Sequence, residues 1–193
     1  PKMITRVAEY YKRTNIICEK ILDIAKNENN QILLLSERLA QLKEIEKNIK
    51  GKVEYGYFVG GMKQEAREES MTKQVILATF HIAREALDIK SLNVLFLATP
   101  KSDIIQAVGR ILRDSKINNH LIVDFIDDFS SFANQAKRRL TYFRKKNYNI
   151  KTFEIEEDGT ITNSYEDDYI PRCRKKKSIN ENPPGPLFAF FNK

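Results

Sequence analysis

The chain has 193 residues, 41% of them hydrophobic and 31% charged, which is typical of a globular domain with its own core. It contains no apolar run long enough to span a bilayer and no secretory signal, so we expect neither a membrane protein nor a secreted one. A formal net charge of +7 favours a polyanionic partner. Two cysteines far apart, Cys18 and Cys173, argue against a zinc site. The start at Pro1, without Met, indicates a fragment boundary.

Apolar periodicity predicts the helices and strands in chain order. A helix is expected over 5–27, with a break near Asn15. Continuous apolar runs predict five buried strands, at 31–36, 55–59, 74–79, 93–98 and 120–125. Helical spacing predicts helices at 37–49, 63–70, 103–112 and 130–147, the last of them basic. Such alternation predicts an α/β fold with a doubly wound parallel sheet, which binds ligands at the carboxyl ends of its strands.

The C-terminal part has a different composition. Alternating residues around Asp158-Gly159 predict a hairpin over 149–163. Beyond it the chain becomes charged and then Pro-rich, which predicts a flexible basic tail whose apolar end, 187–191, docks on the domain or on a missing neighbour. We therefore divide the chain into an N-terminal helical segment (1–29), an α/β domain (30–165) and a tail (166–193).

The most informative motif is Gln-x-x-Gly-Arg-x-x-Arg at 106–113. On a helix, Arg110 and Arg113 would share one face, and two guanidinium groups suit phosphate oxygens and the charge that develops during phosphoryl transfer. Gly109 would allow a backbone or ligand to approach closely. Taken alone, the two arginines could equally belong to a solvated helix face.

Neighbouring segments give this motif a context. The segments 32–38, 57–61 and 76–89 precede it, and 97–105 leads directly into it. In this order they resemble motifs IV, IVa, V and VI of superfamily 2 helicases, over about residues 30–147. The resemblance implies the second, C-terminal RecA-like motor domain of an ATP-dependent nucleic-acid helicase. It is similar to DNA-dependent repair and transcription helicases, including those of large cytoplasmic DNA viruses, so we expect an intracellular protein of the cytoplasm, nucleus or viral factory.

The resemblance also implies roles for individual residues. Arg113 would be the arginine finger on the γ-phosphate, and Arg110 would support it. The residues implied to serve the nucleotide, or its coupling to nucleic acid, are Gln106, Gly109, Asp88 and Glu85. The residues implied to touch the nucleic-acid strand are Ser36, Arg38, Gly60, Gly61 and Thr79. Ala86 stands where motif V often has Gly, which weakens the case for close backbone approach there.

Simpler interpretations remain open for several of these positions. Ser36 could merely end a strand, and Gly60-Gly61 could be only a turn. Lys137 and Arg138, with the adjoining Arg139, could contact nucleic acid. The alternative is the charged outer face of a helix that buries the apolar residues Phe132, Ala136, Leu140 and Phe143. Asp124, Asp127 and Asp128 could suggest a metal cluster, but we prefer a strand-end carboxylate and a helix N-terminus.

The sequence lacks parts that an ATPase needs. It has no Walker A loop and no Asp-Glu box. ATP and Mg²⁺ would therefore be bound mainly by an absent N-terminal RecA-like domain in cis, and we expect this chain alone to be inactive. The expected partner is nucleic acid, with DNA favoured over RNA, and no membrane. The alternative function is a non-catalytic nucleic-acid-binding module with the same fold.

Overall fold

The computed structural model describes residues 2–86, 89–101, 103–104, 108, 120–127, 130–156, 158–166 and 187–192. The helices are α1 (Lys2–Glu9), α2 (Tyr11–Ala25), α3 (Leu39–Ile49), α4 (Gln64–Met71), α5 (Phe80–Ala86) and α6 (Ser130–Lys145). The strands are β1 (Ile32–Ser36), β2 (Tyr55–Phe58), β3 (Val75–Thr79), β4 (Val94–Leu97), β5 (Leu121–Ile126), β6 (Asn149–Ile155), β7 (Ile161–Glu166) and β8 (Leu187–Asn192).

The strands form one eight-stranded sheet in the order β2-β3-β1-β4-β5-β8-β6-β7. The first five strands, β1 to β5, are all parallel to one another. Every residue of the central strand β1 is buried, as a strand covered on both faces requires. The predicted α/β fold with a doubly wound parallel sheet is confirmed.

Each face of the sheet packs against its own helices because successive strand residues point in opposite directions. Leu33 and Leu35 of β1 belong to a core that includes the buried residues of α5 and α6. Ile32 and Leu34 belong to the opposite core, with α2 and α3. The N-terminal helix α2 is therefore part of the packed domain, on the face opposite α6.

The C-terminal strand completes the sheet. β8 lies antiparallel between β5 and β6, where Ala189 is paired with Asp124 on one side and Thr152 on the other. The predicted hairpin is confirmed as β6–β7, and Gly159 in its turn has a φ of 90°. The apolar end of the predicted tail thus docks on the domain, as one of the two alternatives had it. The prediction that the flexible tail continues to residue 193 is wrong for 187–192, which form β8. Residues 167–186 lie outside the described residues.

Three local expectations differ from the structure or cannot be compared with it. The N-terminal helix breaks at Tyr10, whose φ of −73° and ψ of 104° are extended, and not near Asn15, which lies within α2. Helix α5 was not predicted, because the apolar run of β3 continues directly into it. Most of the predicted helix at 103–112 lies outside the described residues.

Candidate nucleotide and nucleic-acid face

The carboxyl ends of the parallel strands lie along one edge of the sheet. Ser36 at the end of β1 is the register partner of Thr79 at the end of β3. Phe58 at the end of β2 pairs with Ala78 of β3, on the side of β3 that faces away from β1. Gly60 therefore comes just after the strand end on that side of β3. The structure therefore brings Ser36, Thr79 and the Gly60-Gly61 pair to the same edge, which is where ligands bind in sheets of this kind.

Ser36 at this edge is fully buried. Its hydroxyl donates to Gln41 Oε1 at 2.8 Å and accepts from the backbone N–H of Arg38 at 3.0 Å. These bonds hold the turn between β1 and α3. A strand could reach the Ser36 hydroxyl only if they were broken, so the geometry favours a role in shaping the turn.

Arg38 follows in the same turn and is half-buried. Its Nε donates to Thr5 Oγ1 at 3.1 Å and its Nη1 to the Glu37 carbonyl at 3.0 Å. The guanidinium is thus tied to α1 at the edge of the sheet. Its contact with a nucleic-acid strand stays a prediction.

Gly60 and Gly61 form an exposed turn after β2. Gly61 has a φ of 80°, in the left-handed region that favours glycine, and nothing lies within 4 Å of the place its Cβ would occupy. A Cβ on Gly60 would meet only Ile82 Cδ1, at 3.8 Å. The turn leaves open space around these glycines, at the same edge as the half-buried Thr79, and a phosphate backbone could approach there.

Helix α6 presents two different faces. Lys137 and Arg138 are exposed and line a shallow surface hollow with Asn134 and Thr141. The prediction that the helix buries Phe132, Ala136, Leu140 and Phe143 is confirmed. Arg139, grouped with the exposed cations in the sequence, is instead 2% exposed. Lys137 and Arg138 therefore stay candidates for nucleic-acid contact, and Arg139 does not.

The segment after β4, Ala98–Lys101, is connected to the turn after β1. The backbone N–H of Glu37 donates to Thr99 Oγ1 at 2.9 Å, and Lys101 forms an ion pair with the Glu37 carboxylate. The Lys101 ammonium also lies 5.6 Å from the centre of the Phe80 ring at the start of α5. Three of the motif-bearing segments are thereby joined at this edge.

Two aspartates of β5 and its end point to opposite faces of the sheet. Asp124 accepts from Arg139 Nε at 2.7 Å on the α6 face. Asp127 accepts from Arg13 Nε and Nη2, each at 3.0 Å, on the α2 face. Burial raises the pKa of Asp127, and the charge of the Arg13 guanidinium opposes that rise.

These pairings bear on the possible metal cluster. Asp124 and Asp127 are each engaged by an arginine and face apart, and Asp128 lies outside the described residues. In the described ranges, no group of three or more His, Cys, Asp or Glu side chains could hold a metal. Asp124 lies within β5, two residues before its end, and Asp127 directly follows the strand.

Arg13 was not considered from the sequence and Arg139 was grouped with the exposed cations, although each carried a signal of burial. Arg139 lies three residues after Ala136 and four before Phe143, on the buried stripe of α6. Arg13 lies three residues before Ile16 and four before Ile17, on the buried stripe of α2. A basic residue at a core position of an amphipathic helix predicts a buried partner.

The arginine motif itself cannot be placed. Gln106, Gly109, Arg110, Arg113 and Asp88 lie outside the described residues, as does the side chain of Glu85 on α5. Two residues near the motif are described. Ile104 and Val108 are buried, and the N–H of Val108 donates to the Ile104 carbonyl at 2.8 Å.

Comparison with known proteins identifies the class. The sheet is that of a RecA-like motor domain, and the chain matches the helicase conserved C-terminal domain over residues 12–115, more than half of its length. The chain therefore belongs to the helicase C-terminal domain family, and the resemblance to superfamily 2 helicases is confirmed. Across the described residues, no helix is both long and apolar enough to cross a membrane.

Two viral proteins are similar in sequence. One, from Acanthamoeba polyphaga mimivirus, carries the provisional name ATP-dependent RNA helicase and is 41% identical over 168 residues, which cover 81% of this chain and 31% of that protein. Another, from African swine fever virus (isolate Tick/South Africa/Pretoriuskop Pr4/1996), has the same provisional name and is 27% identical over 100 residues, or 50% of this chain and 20% of its own. The chain thus spans less than a third of either relative.

A solved structure agrees on the fold. The crystal structure of T4 UvsW superposes with a TM-score of 0.50 at 22% identity, covering 58% of this chain and 25% of that one. The expectation of DNA over RNA as partner, taken from the likeness to DNA-dependent helicases, is wrong: both viral relatives are named as RNA helicases.

Proposed function

We infer that the chain is the C-terminal motor domain of an ATP-dependent RNA helicase or translocase and completes a composite ATP-hydrolysis site. The observation that carries this inference is the family match over 12–115, which includes the whole Gln-x-x-Gly-Arg-x-x-Arg motif. The 41% identity to a protein named as an RNA helicase supports RNA as the nucleic acid.

The nucleotide side of the proposal rests on the arginine motif. Arg113 acts as the arginine finger on the γ-phosphate and Arg110 supports it, because guanidinium groups stabilise the charge that spreads over the transferred phosphoryl group. Gln106 and Gly109 line the cleft between the two motor domains. Asp88 and Glu85 couple the nucleotide to the RNA. Val108, buried with Ile104, anchors this motif to the core.

The RNA side of the proposal uses the edge at β1, β2 and β3. The exposed turn at Gly60-Gly61 admits the sugar-phosphate backbone, and Thr79 and Arg38 lie at the same edge of the sheet. Ser36 acts indirectly, since its hydroxyl fixes the backbone of Arg38. Lys137 and Arg138 on α6 add positive charge. Contacts of this kind position a strand without reading its sequence.

ATP and Mg²⁺ are held mainly by a first RecA-like domain. Asp124 and Asp127, two described carboxylates near the nucleotide edge, are engaged by arginines and face opposite sides of the sheet, and the Glu37 carboxylate pairs with Lys101. The sequence also lacks a Walker A loop. The chain alone therefore has negligible ATPase activity in this proposal.

The test is ATP hydrolysis by the longer protein that carries both motor domains, measured with and without RNA. Arg113→Ala is expected to lower the RNA-stimulated kcat by about 10³-fold or more, the range seen when an arginine finger is lost. Lys52→Ala is the matched control, since Lys52 is exposed in the turn before β2, at the opposite end of the sheet. Hydrolysis that Arg113→Ala leaves intact, with RNA still bound, would instead indicate a non-catalytic binding module.

A further inference from the structure

Two buried arginines hold the backbone of the segment that precedes the arginine motif. Arg13 Nη1 donates to the Ala98 carbonyl at 2.6 Å, and Arg139 Nη1 donates to the Lys101 carbonyl at 2.8 Å. Both arginines are 2% exposed. The two bonds fall at the two ends of Ala98–Lys101, so they fix where this segment starts and where it ends.

The two arginines reach the segment from opposite faces of the sheet. Arg13 comes from α2 and Arg139 from α6, and these helices pack on different cores. Each guanidinium is oriented by its own aspartate: Asp127 receives two bonds from Arg13, and Asp124 receives one from Arg139. Because Asp124 and Asp127 are three residues apart near the end of β5, the alternation of a strand sends them to opposite faces. The result is a clamp on both sides of the sheet.

Stability alone does not account for this arrangement. Taking an ion pair out of water is costly, and apolar residues of similar volume often serve a core as well or better. In each arginine, different nitrogens of one planar guanidinium bond the carboxylate and the carbonyl. A lysine has a single side-chain nitrogen, so it does not reproduce both bonds at these positions. What the two arginines add is a fixed backbone position for the segment.

We propose that Arg13 and Arg139 are positioning residues for the ATP-hydrolysis site, because they fix both ends of Ala98–Lys101 and thereby the approach to the arginine motif. This role rests on the proposed function. Only three residues after Lys101 comes the buried Ile104, whose carbonyl accepts from the N–H of Val108, a buried residue of the arginine motif itself. A displacement of the anchors is therefore passed to the residues that contact phosphate.

The variants Arg13→Lys and Arg139→Lys test this role, since each keeps the charge opposite its aspartate and loses the simultaneous carbonyl bond. In the longer protein, each is expected to lower the RNA-stimulated kcat by roughly 10- to 100-fold, as a misplacement of about 1 Å does. The KM for ATP and the affinity for RNA, measured by fluorescence anisotropy, are expected to stay close to wild type. Hydrogen exchange followed by mass spectrometry should rise in peptides covering 98–108.

Arg67→Lys is the matched control. Arg67 on α4 is half-buried, and its guanidinium lies 5.8 Å from the centre of the Phe58 ring. The substitution therefore makes the same chemical change at a position away from Arg13 and Arg139. The inference is wrong if Arg13→Lys and Arg139→Lys have the same kcat and the same hydrogen exchange as Arg67→Lys. A fall in kcat that merely follows the fraction of unfolded protein, with unchanged exchange over 98–108, overturns it too. If the wild-type protein shows no RNA-stimulated hydrolysis, the proposed function is wrong, and with it the positioning role of Arg13 and Arg139. If only the hydrogen exchange over 98–108 is unchanged in the two variants, the clamp is wrong and the proposed function stands.

Discussion

The turn at Gly60-Gly61 allows stability and RNA binding to be separated by two single substitutions. Gly61 has a φ of 80°, so an alanine there adopts a left-handed conformation. That conformation costs an alanine about 1–2 kcal/mol relative to a right-handed one. The gain from restricting the unfolded chain, about 0.4–1 kcal/mol, offsets only part of it. We expect Gly61→Ala to lose about 1 kcal/mol, which lowers Tm by roughly 2–4 °C in a chain of this size.

Gly60→Ala should behave differently. Its φ lies outside the left-handed region, and the new Cβ would meet only Ile82 Cδ1 at 3.8 Å, an ordinary contact. We expect Tm to stay within about 2 °C of wild type, since the alanine does not have to adopt a left-handed conformation. Thermal unfolding followed by circular dichroism measures both variants. A larger loss in Gly60→Ala than in Gly61→Ala would refute this account of the turn.

The same pair tests the RNA face. If the sugar-phosphate backbone approaches the turn, the added methyl of Gly60→Ala weakens RNA binding several-fold while stability is kept. Fluorescence anisotropy with a labelled single-stranded RNA, in the protein with both motor domains, gives the affinity. An unchanged affinity in both glycine variants would remove this turn from the RNA path.

Three further predictions concern the core. Gly56→Ala should lose about 1–3 kcal/mol through overpacking, because its Cβ would lie 2.7 Å from Ser70 Cα, and denaturation in urea measures this. Asp124→Ala should lower the free energy of unfolding by about 3–5 kcal/mol, because it leaves Arg139 buried without its counter-charge. The double variant Asp124→Leu with Arg139→Met should recover most of that loss in the same assay. An equal loss in the single and the double variant would contradict the ion-pair explanation. Burial raises the pKa of Cys18 from 9.0 to about 12. Its contribution to stability is therefore complete below pH 9 and is lost as the pH rises toward 12, and iodoacetamide at pH 8 should leave Cys18 unmodified in the folded protein, as peptide mass spectrometry would show.

Local sequence patterns predicted the parallel part of the sheet well, since the signal for a buried strand is carried by the strand itself. The run Ile32–Ser36 is buried along its whole length between two parallel neighbours, as the prediction of a covered strand requires. The Asp158-Gly159 turn likewise contains its own information, because Gly159 takes the positive φ that the hairpin requires.

Long-range pairing accounts for what the sequence did not predict. Strand β8 is added between β5 and β6 from the C-terminal end of the chain, and no local pattern selects that place. The same holds for Arg13 and Asp127, which are 114 residues apart yet form a bidentate pair. Arg139 was grouped with the exposed cations of α6, because the aspartate it pairs with is known only once the place of β5 is known.

The candidate site was predicted in part. Ser36, Gly60, Gly61 and Thr79 do meet at one edge of the sheet, because parallel strands end on the same side. The burial of the Ser36 hydroxyl was not predicted. A serine at the end of a strand gives the same sequence pattern whether its side chain faces solvent or bonds within the following turn.

Trapping of a transition-state analogue tests the central claim most directly. The protein with both motor domains, bound to RNA, is incubated with ADP, Mg²⁺ and aluminium fluoride, and retained nucleotide is measured for wild type and Arg113→Ala. An arginine finger acts on the transition state, so Arg113→Ala should bind ADP within about twofold of wild type and fail to retain the aluminium fluoride complex. Equal retention by the two proteins would contradict the claim that this domain completes the ATP-hydrolysis site.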